Sequence, residues 1–395
     1  MKPLSKTAQA IRPSATMAID TQVKKLRAEG VTVYSFGSGE PDFMTPENVR
    51  LAGIRAIETG HTKYTPAAGM PGLRRAIAER IKADDGIDYT SEQIIIAGGG
   101  KHIVYVTLRV LLDEGDEAVI PAPYWVSYPE MVCMAGGTPV IVTTDREAQF
   151  KLTAAQLEAA ITPKTKVLIL NNPGNPTGSV YTAQELAALA EVCRAHDIYI
   201  LSDEIYAKLV YDGAKFASVP SVTPDAYERT VLVNGVSKAY AMTGWRIGYA
   251  AAPTEIAKAM GRFLSHSTGS PATMSQIAAI EAFSGPQDQV EVMRRAYDER
   301  RLYLVSRIRA MDGLDCIPPQ GAFYLLINVE KQYGRTLGGR LIENDMDFAE
   351  ALLDTVRVAV TPGSAFGAPG YVRWCYASSM EELKAGLDLM EQFIK

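Results

Sequence analysis

The 395-residue chain is poor in the side chains that build metal sites and disulfide frameworks, with four cysteines and four histidines. Cys133, Cys193, Cys316 and Cys375 form no CxxC pair, and His61, His102, His196 and His266 are equally dispersed. That scatter argues against a His/Cys metal centre. No apolar run approaches the ~18 residues of a membrane span. The opening MKPLSKTAQAIRPSAT has no apolar core of the kind a secretion signal carries. Neither sign of charge dominates: 40 basic and 45 acidic side chains leave a net charge of −5, so no long-range field draws the chain to nucleic acid or an anionic membrane. Internal repeats, low-complexity tracts and long linkers are absent. Reduced thiols and the lack of an export signal predict a cytoplasmic protein.

What is present is ordinary globular composition, 47% hydrophobic and 22% charged. At ~150 residues per domain the length suits two domains. Short apolar runs alternate with helix-period segments, the pattern of an α/β fold with a largely parallel sheet. Strands are predicted at 93–99, 117–122, 138–143, 166–172, 198–203, 230–235 and 246–252. Thr45-Pro46 reads as a helix start with proline in the first turn, and Thr182 with Glu185, and Ser379 with Glu382, as reciprocal capping boxes. Leu73, Ala76, Ile77, Arg80 and Ile81 form one helical stripe. The pattern breaks near 285, where a charged helix begins; beyond it 323–329, 356–363 and 371–377 read as strands of a smaller α+β unit. The first dozen residues read as an arm.

Small-residue turns close several of these strands, where open α/β sheets bind ligands. Ala97-Gly98-Gly99-Gly100-Lys101 lies between a strand and a helix, so its amides and the helix start suit a phosphate, although neither a P-loop nor a GxGxxG spacing is present. In Asn171-Asn172-Pro173-Gly174-Asn175-Pro176-Thr177-Gly178 each proline holds the residue before it extended. Ser237-Lys238 follows a buried strand, with Arg246 eight residues on; a lysine near another cation in a poorly solvated pocket loses proton affinity and becomes nucleophilic. Asp203, at the end of IYIL, is costly to bury unpaired or else serves as a helix N-cap, with Tyr206 on the same side of a first helical turn. Alone, each of these also has an ordinary structural reading as a turn, a cap or a surface lysine.

Together and in this order, NNPGNPTG, SDEIY and SKAYAMTGWRIGYA resemble the class I aminotransferases of the fold-type-I pyridoxal-phosphate family. RPSAT, SGEPDF, KYTPAAGMPGLR and PYWVSYPEM are similar to the bacterial branch that includes aspartate and aspartate/prephenate enzymes. The resemblance runs from about Ile11 to the C-terminus. It implies a large cofactor-binding domain (47–285) built on a mostly parallel seven-stranded sheet, a smaller α+β domain (14–46 and 286–395), and an arm (1–13).

The resemblance also assigns roles. Lys238 forms the resting Schiff base with pyridoxal 5'-phosphate and then moves the substrate proton. Asp203 pairs with the pyridine nitrogen, Tyr206 and Asn175 hold the ring hydroxyl oxygen, and Trp125 stacks on the ring. Gly99, Gly100, Lys101, Ser237 and Arg246 hold the phosphate, with Tyr64 reaching the phosphate of the neighbouring subunit in a homodimer. Arg373 takes the α-carboxylate, helped by Gly39, Asn175 and Trp125. The segment 265–273 carries no arginine for a distal carboxylate, which leaves Lys101 for that task, with Arg12, Ser14 and Thr16 from the N-terminal segment. The expected reaction is ping-pong transfer of an amino group from an L-amino acid, aspartate first, to 2-oxoglutarate. A prephenate, aromatic or broad-specificity aminotransferase and a carbon–sulfur lyase on the same fold are the alternatives. A nicotinamide oxidoreductase lacks its glycine fingerprint, and a DNA-binding regulator lacks a reading module.

Overall fold

The computed structural model describes residues 2–13 and 15–395. Seven strands form one sheet: β1 (Ile94–Ala97), β2 (Glu117–Ala122), β3 (Thr138–Thr143), β4 (Thr165–Asn171), β5 (Tyr199–Asp203), β6 (Thr230–Gly235) and β7 (Gly248–Ala251). Their order is β1-β7-β6-β5-β4-β2-β3. All run in parallel except β7, which is antiparallel to both neighbours. The predicted runs thus become the seven strands, three of them residue for residue.

Continuous apolar runs suit strands covered on both faces. Ile95 and Ala97 pack into a layer with Ile103, Val104 and Leu108 of the helix Gly100–Leu111. Ile94 and Ile96 turn the other way, onto Leu73, Ile77 and Ile81 of the helix Pro71–Asp85, as the two-residue strand period requires. The stripe read from the sequence is that buried face, with Arg80 at its edge. The Thr182 capping box forms in both directions. Ser379 accepts from the Glu382 amide, but the reciprocal bond from the Glu382 side chain is absent. Thr45 is not a cap: its hydroxyl donates to the Ala241 carbonyl at 2.6 Å, and Pro46 takes the cap position of the helix Glu47–Glu58.

A second sheet gathers the C-terminal strands β8 (Asp315–Cys316), β9 (Tyr324–Asn328), β10 (Thr361–Pro362) and β11 (Tyr371–Cys375) in the antiparallel order β10-β11-β9-β8. The run predicted at 356–363 divides into Val358–Ala359 and β10. Val358–Ala359 pairs in parallel with Tyr34–Ser35, which brings the N-terminal segment onto the C-terminal part of the chain. The helix Asp288–Ala310 covers this sheet; its Arg300, 8% exposed, forks onto Asp42 at 2.7 and 2.9 Å. That bond anchors the loop that follows Gly37.

Candidate active site

β1, β2, β4, β5 and β6 end at one edge of the large sheet, and β7 begins there. The turns singled out in the sequence therefore converge, although they are spread over some 150 positions. Asp203 closes β5 and is buried. Tyr128 donates to its Oδ2 at 2.7 Å and the Ile205 amide to Oδ1 at 3.2 Å. Burial pushes its carboxyl up to about 6, while Tyr128, the Ile205 amide and the nearby Lys238 ammonium pull the other way. A cation placed before Asp203 would complete the ionised state.

Lys238 follows β6 and is partly exposed. Its Nζ donates to the Gly39 carbonyl at 2.5 Å. Desolvation brings its pKa down to about 8; Arg373 and Arg246 act in the same sense, against Cys375 and Glu40. Tyr206 lies in a turn and not in the first turn of a helix, so it stands near Asp203 because the chain folds back. Its hydroxyl meets that of Tyr324 at 2.8 Å. Ser237 is buried beside Lys238.

At the start of the helix Gly100–Leu111, the amides of His102 and Ile103 bond the Gly99 carbonyl at 3.0 and 3.2 Å. Those of Gly100 and Lys101 have no acceptor among the described residues, as expected of a first helical turn. Arg246 lies across this opening, its Nη1 on the Thr243 carbonyl at 2.8 Å and its Nη2 on that of Gly98 at 3.1 Å. Two glycines make the approach possible. A Cβ on Gly99, whose φ is 96°, would stand 2.5 Å from Arg246 Nη2, and one on Gly248 would overlap the backbone of Gly99 and Gly100. Lys101 is exposed with its Nζ 4.9 Å from the centre of the Trp125 indole. Trp125 meets Tyr128 edge to face at 5.3 Å.

Arg373 comes from β11 and is 3% exposed. Its Nη1 donates to Asn175 Oδ1 at 3.0 Å and its Nη2 to the Gly37 carbonyl at 2.5 Å. The Tyr324 and Phe366 rings sit against the guanidinium at 4.5 and 4.6 Å. Its Nε has no partner, and no carboxylate pairs with it among the described residues. A guanidinium shielded in this way has the forked geometry that suits a planar anion. Asn171 sets the geometry, accepting from the Asn175 amide at 2.7 Å through Oδ1 and donating through Nδ2 to the Asp203 carbonyl at 2.9 Å.

Two expected residues lie elsewhere. Tyr64 is fully exposed, away from any polar partner of this chain among the described residues. Arg12 is exposed and ion-paired with Glu130 at 2.9 Å, on the wall of a cavity of ≈ 580 Å³ that also meets Lys101 and Arg246. Ser14, and the side chain of Thr16, lie outside the described residues. Sequence reading missed Tyr128, Tyr324 and Phe366. Tyr128 belongs to the quoted motif PYWVSYPEM and follows Trp125 by three positions, a usable signal. Tyr324 and Phe366 reach Arg373 only through the pairing of distant strands and carry no local mark.

The family model for aminotransferase class I and II matches residues 31–389. The chain belongs to this family. The aspartate aminotransferase of Geobacillus stearothermophilus is 48% identical to it over 392 residues, 99% of both chains. The aspartate/prephenate aminotransferase of Cereibacter sphaeroides is 47% identical over 99% of this chain and 98% of its own. Among solved structures, the aspartate aminotransferase of Rhizobium meliloti superposes with a TM-score of 0.96 at 41% identity, covering 100% of this chain and 99% of that one. That of Thermus thermophilus with maleate gives 0.93 at 43%, over the whole of both chains. The fold is that of a fold-type-I transferase, and the chain is a pyridoxal-phosphate-dependent aminotransferase. The donor set fits that cofactor: free amides and Arg246 match a phosphate, Asp203 a protonated ring nitrogen, and Lys238 an aldehyde. Gly99→Ala should displace Arg246 and strain the loop. We expect cofactor dissociation, followed by absorbance, to become about tenfold easier or more, with the fold intact by circular dichroism.

Proposed function

We propose that this enzyme moves the amino group of aspartate to 2-oxoglutarate in two half-reactions of a ping-pong cycle. The observation that carries this reading is Arg373, a buried guanidinium whose free edge suits the α-carboxylate of any amino acid. Asn175 and the Gly37 carbonyl orient it, and the Tyr324 and Phe366 rings keep water away. The bound cofactor supplies an electron sink for charge developing at the substrate α-carbon. Lys238 would attach the cofactor and, once displaced by the substrate amine, would carry the proton from the substrate α-carbon to the cofactor carbon that had held the lysine, with a pKa brought towards neutrality by burial. Asp203, braced by Tyr128, keeps the ring nitrogen protonated. Tyr206 and Asn175 serve the ring oxygen, and Trp125 its face. The amides of Gly100 and Lys101, opened to the phosphate by the Gly99 turn, would serve it with Ser237 and Arg246. Borohydride reduction of the holoenzyme and peptide mapping should place the label on Lys238; a label on Lys101 or Lys63 would refute the assignment.

Side-chain choice then falls to the cleft beyond Arg373. A second carboxylate needs a second cation, and Lys101 has no anionic partner among the described residues. The names of the relatives, aspartate aminotransferases at 45–48% identity, support the same substrate. A second reading, prephenate or an aromatic amino acid, is favoured by the ≈ 580 Å³ cavity, whose walls include Tyr105, Tyr124 and Met134, and by the relative named for prephenate. Arg12 sits at its rim as a further cation, held by Glu130. Lys101→Ser should lower kcat/KM for aspartate selectively, by about 1 kcal/mol, since this lysine is exposed and screened. An equal loss with an aromatic amino acid would assign Lys101 to the phosphate instead.

The enzyme acts as a homodimer with shared sites and works in the cytoplasm, in keeping with four unpaired thiols and with no helix long and apolar enough to cross a membrane among the described residues. We keep the division into an arm (1–13), a small domain (14–46 and 286–395) and a large domain (47–285), which the pairing of Tyr34–Ser35 with Val358–Ala359 supports. Met44, Leu51, Ile54, Ile57 and Tyr64 are exposed near one another in sequence, as a face awaiting a second copy would be. Mixing inactive Tyr64→Phe and Lys238→Ala subunits should restore one working site per hybrid dimer. No recovery, with hybrids formed and the Tyr64→Phe defect confirmed, would place both residues in one chain.

A further inference from the structure

A second cavity, ≈ 260 Å³, lies behind the turns that carry Asp203 and Lys238. Ile205 on one turn and Gly235 and Ala239 on the other form part of its wall. None of the cofactor or substrate residues assigned above lines it, so it is separate from the cleft. Four aromatic rings, Phe216, Tyr240, Tyr249 and Phe283, form another part of the wall, and charged side chains a further part. The Phe283 ring meets those of Tyr240 and Tyr249 edge to face at 5.6 and 5.8 Å, so the rings form one contiguous wall.

The charges around it are unevenly satisfied. Asp84 holds both cations of the lining, Arg80 at 2.9 Å and Lys208 at 2.5 Å. Asp85, next in the chain and half-buried, has no hydrogen-bond or ion-pair partner among the described residues. Tyr249 is only 5% exposed, and its hydroxyl is unpartnered too, although Asp85 is close enough to perturb it. An unpartnered acid and an unpartnered phenol lining one cavity with π faces match a cation that carries both an N–H and an apolar body. A divalent metal is a poorer occupant, since it would find one free carboxylate and no other anionic ligand.

We propose that this cavity binds a small organic ammonium ion bearing an apolar or aromatic group, with Asp85 and Tyr249 as its polar partners. Burial and the neighbouring Asp84 push the Asp85 carboxyl up to about 6, a cost that such an occupant would relieve. The same cavity touches Ile205 and Ala239, so an occupant would lie behind the turns of Asp203 and Lys238.

N,N-Dimethylbenzylammonium is a suitable probe, being tertiary and therefore unable to condense with the cofactor aldehyde. Calorimetric titration of the holoenzyme should show one saturable site per chain, with or without saturating maleate in the catalytic cleft. Asp85→Asn should weaken binding about tenfold or more, and Tyr249→Phe several-fold. Absence of saturable binding, unchanged affinity in the variants, or competition with maleate would overturn the proposal. Should Asp85→Asn fail to fold, Tyr249→Phe decides alone, since it removes only a hydroxyl that has no partner.

Discussion

A guanidinium sealed between two rings, with no carboxylate beside it, is the constraint on which the rest of this structure depends. Withdrawing such a group from water costs several kcal/mol unless its donors are met. Here Asn175 and the Gly37 carbonyl meet two of them, the Tyr324 and Phe366 faces compensate in part, and Nε is left over. Each of these partners comes from a different stretch of chain. Arg373 can hold this position only when the small sheet, the Asn171–Gly178 turn and the Gly37 loop are all in place, so its shielded geometry exists only in the completed fold.

The Gly37 loop is the point of coupling. Its Gly37 carbonyl orients Arg373, its Gly39 carbonyl takes the Lys238 amine, and Asp42 is locked to Arg300 on the long C-terminal helix. One short segment thus touches Arg373, the Lys238 amine and the covering helix. The large sheet contributes the other half of the arrangement. Its strand ends fix Asp203, Lys238 and the glycine turn on a rigid edge, while the Gly37 loop and β11 approach from the second sheet. In the proposed function, a site divided in this way would place cofactor chemistry on the sheet and substrate recognition on the part that covers it.

Much of this was legible in the sequence, and for physical reasons. The seven large-sheet strands are buried on both faces, so their apolar runs stand out, and the glycine and proline turns that end them mark the active edge. Asp203 ends a strand, Lys238 and Asn175 follow strand ends within a few residues, and Arg246 stands two residues before β7, which is why local motifs located them. Arg373 was found only by family resemblance, and its neighbours Tyr324 and Phe366 were not found at all. The register that sets Leu326 opposite Arg373 is a long-range pairing with no local trace. Thr45 was misread because a threonine before Pro-Glu looks like a cap, whereas tertiary structure offered its hydroxyl the Ala241 carbonyl. Tyr206 was placed on a helix that does not form, since the chain turns back after Asp203 to pack its ring against Phe323 and Tyr324.

The charge pattern of the cleft explains why these elements belong together. Lys238, Arg246, Lys101 and Arg373 are cations facing or bordering one space, and Asp203 is the anion set against them. Left alone, they raise one another's cost: Arg246 lowers the proton affinity of Lys101, and Arg373 and Arg246 lower that of Lys238. In the proposed function a phosphate would relieve Arg246 and the helix start, and a carboxylate would relieve Arg373. A positively charged ring nitrogen would relieve Asp203, and attachment would turn the Lys238 amine into an imine of lower proton affinity. Lys101 would then be the remaining cation without an anion among the described residues, and a substrate with a second carboxylate is the ligand that would complete the set.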